Sequence, residues 1–189
     1  MLKIIILYFS ASGHTHRLAE AIHKGANSIN NNVLIIDINE MSEESWIQLE
    51  SADGIIFGSP TFMGGLAGEF KLFLDESSYR RFWTKEIFKD KMAAGFTVAT
   101  YPSGDKLNTI VQLAIYAAQH GMIWVNNCDV GIKVSSHSQN YNQCGSWLGL
   151  MATSIQDKTK LISDNDIQDA FHFGARFAKS VHRWNCCGV

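Results

Sequence analysis

The sequence predicts an α/β protein, a parallel β-sheet covered by helices on both faces. Three observations carry that prediction. Short apolar runs rich in β-branched residues alternate with stretches of helical periodicity along the 189 residues. The runs are almost uninterrupted by polar residues, as strands buried on both faces are. The loops after the first, third and fourth runs are rich in small and hydroxyl residues, where an open parallel sheet places its ligands.

Residues 3–9 (KIIILYF) form the first run. The helix after it has the stripe Leu18, Ile22, Gly25, Ala26 and Ile29, closed by the asparagines at 30–32. Residues 33–38 read as a second strand and 42–50 as a short polar helix. Residues 54–60 (GIIFGSP) are a third strand with Pro60 as a hard stop. Phe70, Phe73 and Leu74 give one face of the next helix, and residues 92–100 a fourth strand. Leu107, Ile110, Val111, Ala114, Ile115 and Ala118 are the expected inward face of the helix that Gly121 ends. Residues 122–125 are a fifth strand, 126–143 a polar loop, and 146–152 a strand resuming. The last helix opens on the capping-box pattern Ser163-Asp164-Asn165-Asp166 and turns Ile167, Ala170, Phe171, Gly174, Ala178 and Val181 inward. No repeat or linker interrupts the alternation, so one domain over residues 1–189 is expected.

Composition narrows the function. With 46% hydrophobic and 18% charged residues the chain has ample material for a core, and disorder is excluded. A net charge of −2, with no Lys/Arg cluster, points away from nucleic acid; KEIFKDK and DKTK mix signs as solvated faces do. The opening MLKIIILYFS lacks the long apolar core of a signal peptide, and no run of 18 apolar residues exists. A soluble, cytoplasmic chain without a membrane partner is expected. The four cysteines form no C-x-x-C pair. Cys186 and Cys187 sit in CCGV, which lacks the aliphatic positions of a prenylation signal and reads as an ordinary tail.

The stretch YFSASGHTHRLAEAI (residues 8–22) admits three chemistries. A metal site is disfavoured: on a helix from His14, His14 and His16 lie about 200° apart, and His16 and His23 about 10 Å apart along the axis. A serine nucleophile is disfavoured because G-x-S-x-G is absent. A phosphate cradle explains most. Ser10, Ser12 and Thr15 carry hydroxyls, Gly13 permits a tight turn, and the first amides of the helix favour an anion. With neither G-x-x-x-x-G-K-[ST] nor G-x-G-x-x-G present, a small phosphomonoester fits best. An ordinary strand-to-helix turn is the alternative.

Together the loops resemble those of the flavodoxin-like FMN proteins, most closely the NAD(P)H:quinone oxidoreductases of the Trp-repressor-binding-protein type. The resemblance runs from LYFSASGHT through GSPTFMGGLAGEFKLFLD to QHGM and GSWLGLMA. It implies a flavodoxin-like three-layer sandwich whose five-stranded parallel sheet has the order 2-1-3-4-5, with an interrupted fifth strand and FMN at the switch point. By position, Ser10, Ala11, Ser12, Gly13, His14 and Thr15 would hold the phosphate. Pro60, Thr61, Phe62, Met63 and Gly64 would line the ribityl chain and ring, with Thr100, Tyr101, Pro102, Ser103 and Gly104 closing from the other side. His120 matches a histidine that faces the flavin from a neighbouring subunit's pocket, and Trp83 a tryptophan of the substrate pocket. Read without the resemblance, His120 is a histidine at a helix carboxyl end and Trp83 a surface aromatic.

The implied activity is electron transfer from NAD(P)H through FMN to a quinone or similar acceptor, in a homodimer or homotetramer with Tyr79, Phe82 and Trp83 at the interface. Two departures stand out: Ser12 replaces a common tyrosine, and TYPSGD replaces a glycine run. Both leave the donor and acceptor open. The alternatives are a flavodoxin-type electron carrier, against which the weak net charge argues, and a non-redox regulatory protein of the same fold.

Overall fold

A computed structural model describes residues 2–129, 141–156 and 159–186. Its elements are β1 (Ile4–Tyr8), α1 (His14–Asn27), β2 (Val33–Asp37), α2 (Glu43–Glu50), β3 (Gly54–Phe62), β4 (Gly65–Leu66), α3 (Gly68–Tyr79), β5 (Met92–Ala99), α4 (Lys106–Gln119), β6 (Ile123–Trp124), β7 (Leu150–Thr153) and α5 (Asp164–Cys186). The sheet runs β2-β1-β3-β5-β6, with every one of these neighbours parallel. β7 is parallel to β5 as well, but further along it: Met92 and Ala93 face β6, and Phe96 to Ala99 face β7. The fifth position is thus one strand in two pieces, and the expected order 2-1-3-4-5 is the observed one. Trp124 Nε1 donates to the Leu148 carbonyl at 2.8 Å across the break. Residues 130–140 of the expected insertion lie outside the described residues, as does Cys187.

The uninterrupted apolar strands divide their side chains between two layers. Ile4 and Ile6 enter a core shared with Leu18 and Ile22 of α1 and Phe173 and Phe177 of α5. Ile5 and Leu7 enter a second core with Trp46 of α2, Phe70 of α3 and Leu113 of α4. This is the period-two alternation of a strand covered on both faces. The α1–α5 layer is unusually tight. A Cβ on Gly25 would lie 1.8 Å from the Phe171 carbonyl oxygen, and one on Gly174 would lie 2.1 Å from the Ile22 carbonyl oxygen. Only glycine lets the two backbones approach this closely.

Several expectations are corrected. β3 continues past Pro60 to Phe62, although its ladder to β5 does end at Pro60, opposite Val98. Pro60 has no N–H to give, and Thr61 and Phe62 turn instead to antiparallel pairing with β4. α1 stops at Asn27, which leaves Ile29 outside it and 38% exposed. On α5, Phe171 is exposed while Phe173 and Phe177 fill the core. The fifth strand begins with two residues rather than four. Ser163 does cap α5, accepting from Asp166 N at 3.1 Å.

The largest correction is the face of α4. Only Ile110 of the expected stripe is fully inward; Leu107 and Ile115 are exposed. The buried face is Lys106, Thr109, Ile110, Leu113, Tyr116 and Ala117. Polar residues turn inward here because each finds a partner: Lys106 Nζ donates to the Ala152 carbonyl and Thr153 Oγ1, and Tyr116 pairs with Ser77. Among the described residues no helix is long and apolar enough to cross a membrane.

Candidate functional site

The loops that leave β1, β3 and β5 meet at the carboxyl edge of the sheet, where the strand order reverses around β1. Between them lies a cavity of about 140 Å³. The first loop contributes Ala11, Ser12, His14 and Thr15, the second Pro60, Thr61 and Phe62, and β5 and its exit Val98, Ala99 and Thr100. Ser154, just past β7, completes the wall.

Gly13 sets the geometry of the first loop. Its φ of 90° belongs to the left-handed region, and a Cβ there would sit 3.1 Å from Leu161 Cδ1. Ser10 Oγ accepts from Gly13 N at 3.1 Å, which holds the turn. No side chain caps α1 and no acidic residue occupies its first turn, so the amide groups there carry the positive end of the helix dipole uncompensated. The two histidines take separate partners. His14 Nδ1 is 3.0 Å from Ser12 Oγ, whereas His16 Nδ1 is 2.6 Å from the Tyr8 hydroxyl. Burial, and then the Asp37 carboxylate, push the Tyr8 phenol up to about 12, so it stays protonated.

The second loop turns on Met63 and Gly64, both at positive φ. Asn108 Nδ2 donates to the Gly64 carbonyl at 2.6 Å, tying this loop to α4. Thr61 Oγ1 lies 2.8 Å from Thr97 Oγ1 and 2.7 Å from Thr109 Oγ1. In the third loop Tyr101, Pro102 and Ser103 are exposed and Gly104 has φ 53°. Phe62, which lines the cavity, and Met63 and Tyr101, each next in sequence to a lining residue, are all exposed. Lys106, 1% exposed, begins α4 beneath this loop. Burial lowers its pKa, and the nearby Asp166 carboxylate works against that shift.

His120 and Trp83 line a different cavity of about 650 Å³ between α3 and α4, which shares no residue with the first. His120 follows the last residue of α4, about 20 Å along the helix from the third loop. The imidazole is buried between Phe88 and Tyr116, at centroid distances of 5.2 and 4.4 Å. Burial lowers its pKa to about 4, so it is neutral at pH 7. Trp83 and Tyr79 are exposed, whereas Phe82 is 2% exposed and packs on Trp46 and Phe88. Phe82 is therefore a core residue and not an interface one.

The structure thus brings together the first-loop residues and the Pro60–Phe62 and Thr100 segments, and holds His120 and Trp83 apart from them. It adds Ser154, Thr97, Thr109 and Asn108, each far in sequence from the residue it serves. A phosphomonoester suits this cavity: a left-handed turn that favours glycine, hydroxyls from Ser12 and Thr15 in its lining, uncapped helix amides, and a polar wall at Thr61 and Ser154.

The family model described as NADPH-dependent FMN reductase matches residues 2–136. A protein named Flavodoxin FldP, from Pseudomonas aeruginosa, is 33% identical over 181 residues, which are 95% of this chain and 96% of that one. Quinone-oxidoreductase QR2 from Triphysaria versicolor is 30% identical, covering 93% of each chain. The crystal structure of a WrbA-like flavodoxin protein from Agrobacterium tumefaciens superposes with a TM-score of 0.76 at 34% identity, covering 97% of this chain and 99% of that one.

Proposed function

The chain belongs to the NADPH-dependent FMN reductase family, and from that premise we propose that it passes electrons from NAD(P)H through FMN to a quinone or similar acceptor. The observation that carries the reading is the convergence of three hydroxyl- and glycine-rich loops at the switch point, beside the uncapped start of α1. FMN, when bound, supplies the redox chemistry; the protein supplies position and electrostatics. Ser12, Thr15 and the amides of His14 and Thr15 would hold the phosphate. Thr61 and Thr100 would border the polyol chain, and Phe62, Met63 and Tyr101 would supply the exposed side chains beside the ring.

His120, at the far end of α4, and Trp83, beyond the end of α3, both lie outside the loop cavity of their own chain. We place them in the acceptor pocket of a neighbouring copy, which requires a homodimer or homotetramer. The apolar side chains exposed along α3 and α4, Leu72, Tyr79, Leu107 and Ile115, together with Trp83 just beyond α3, support such a contact. A neutral His120 with a pKa near 4 offers an acceptor a hydrogen bond rather than a charge.

The second reading, a flavodoxin-type carrier, takes support from the relative of that name. The weak net charge of −2 favours the enzyme, since carriers use strong charge to dock. The deciding experiment is the absorbance spectrum of purified protein with and without FMN, followed by NADH and NADPH titration against a quinone series. FMN uptake with quinone-dependent turnover is expected. FMN uptake without nicotinamide oxidation would favour the carrier, and a colourless protein that takes up no FMN would overturn both.

A further inference from the structure

Thr97 and Thr109 are fully buried, with no exposed surface, and each hydroxyl lies within hydrogen-bond distance of Thr61 Oγ1. Among the described residues neither hydroxyl has another hydrogen-bond partner. A hydroxyl has one proton to give and two lone pairs to accept with. A buried hydroxyl whose proton finds no acceptor is strongly disfavoured, so each of these two must give its proton to Thr61. Both lone pairs of Thr61 Oγ1 are then filled. Its own proton takes the one tetrahedral direction left, and Thr61 is the member of the three that lines the loop cavity.

We infer that Thr97 and Thr109 are positioning residues that fix the Thr61 hydroxyl as an obligate hydrogen-bond donor into the loop cavity. Neither side chain lines the cavity, and both act through Thr61. The chemical consequence is selective. At this point the cavity accepts a lone-pair atom, such as a carbonyl, phosphate or polyol oxygen or an imine-type ring nitrogen, and rejects an N–H. With FMN as the ligand, Thr61 meets an acceptor atom of the cofactor; the inference rests on the FMN reading to that extent. The three residues come from the end of β3, the middle of β5 and the first turn of α4, so the device also locks the second loop to the helix that follows the third.

The test is FMN affinity, read by quenching of flavin fluorescence, in a double-mutant cycle on the full chain. Valine replaces threonine with little change of shape, so packing is kept and only the hydroxyl is lost. Thr61→Val is expected to weaken FMN binding about fivefold. The pair Thr97→Val with Thr109→Val is expected to weaken it about fivefold while Thr61 is present, and less than about twofold once Thr61 is valine. The pair Thr97→Ser with Thr109→Ser, which restores both hydroxyls, is expected to return affinity to within about twofold of the unaltered protein. If the valine pair melts below the assay temperature, Thr109→Val alone in the two backgrounds makes the same comparison. Equal losses with and without Thr61, or no loss at all, would overturn the inference while leaving the FMN reading intact. Failure of the unaltered protein to bind FMN would overturn both.

Discussion

The imidazole of His120 packs 4.4 Å from the ring of Tyr116, centroid to centroid, and among the described residues its buried Nδ1 has no hydrogen-bond partner. Tyr116 is itself anchored, its hydroxyl 2.8 Å from Ser77 Oγ. The pair welds the end of α4 to α3 through neutral groups, and that neutrality makes the joint sensitive to acid.

His120 is held down to a pKa of about 4, against an ordinary value of 6.5 in the unfolded chain. Well above pH 6.5 it is neutral in both states and contributes no pH dependence. As pH falls from 6.5 toward 4 the unfolded chain takes up the proton and the folded chain does not, so stability is lost, by up to roughly 3 kcal/mol. His120→Phe keeps the ring packing and removes the proton site. Urea melts of both proteins at pH 7.5 and 4.5 should show the variant gaining on the unaltered protein by about 2 kcal/mol at the lower pH.

Asp169 carries the opposite lesson. Burial pushes its carboxyl up to about 6, although both oxygens accept from Asn142 N at 2.9 Å. The raised folded-state value means that the protonated form is favoured in the fold, and stability falls as pH rises from about 4 to 6. Asp169→Asn is expected to raise the melting temperature at pH 8 and to leave it nearly unchanged at pH 4. Thermal denaturation by circular dichroism at the two pH values measures the difference.

Where α1 and α5 cross, a single methyl group has no room. Gly174→Ala would drive its Cβ into the Ile22 carbonyl and force the helices apart. A loss of about 3 kcal/mol or more is expected, a fall in melting temperature of several degrees. Calorimetry on the variant would show this, and an unchanged melting point would contradict the packing described.

Gly13→Ala should separate binding from stability. The left-handed φ costs a side chain roughly 1–2 kcal/mol, and the new Cβ disturbs the turn that aims the first amides of α1. FMN affinity is expected to fall about tenfold. Gly145→Ala is the control: its φ of 65° imposes similar strain, no atom lies within 4 Å of the added carbon, and the residue does not line the cavity. Its FMN affinity should be unchanged in the same fluorescence titration.

The strands were legible because burial on both faces leaves an unbroken apolar run, and residues 4–8, every one of them buried, fill that pattern. The first loop was legible because a glycine between hydroxyls ahead of an amphipathic helix has few other uses. The face of α4 was not. Leu107 and Ile115 are as apolar as Leu113 and Tyr116, so periodicity alone admits either face, and Lys106 reads as a surface residue until the Ala152 carbonyl comes within reach of its ammonium. Thr61 stands 36 positions from Thr97 and 48 from Thr109, and nothing local marks their contact. Ser154 joins the cavity only because β7 resumes beside β5 after the break.

That break has a consequence for how the molecule behaves in a crowd. A long open edge strand is a template on which other chains can add and polymerise. Here the edge beside β5 is divided into a two-residue piece and a four-residue piece, with Trp124 and Leu148 bonded across the gap. Among the described residues an incoming strand finds no continuous row of strand amides and carbonyls on this side. The interruption that delivers Ser154 to the cavity also blunts the sheet against aggregation.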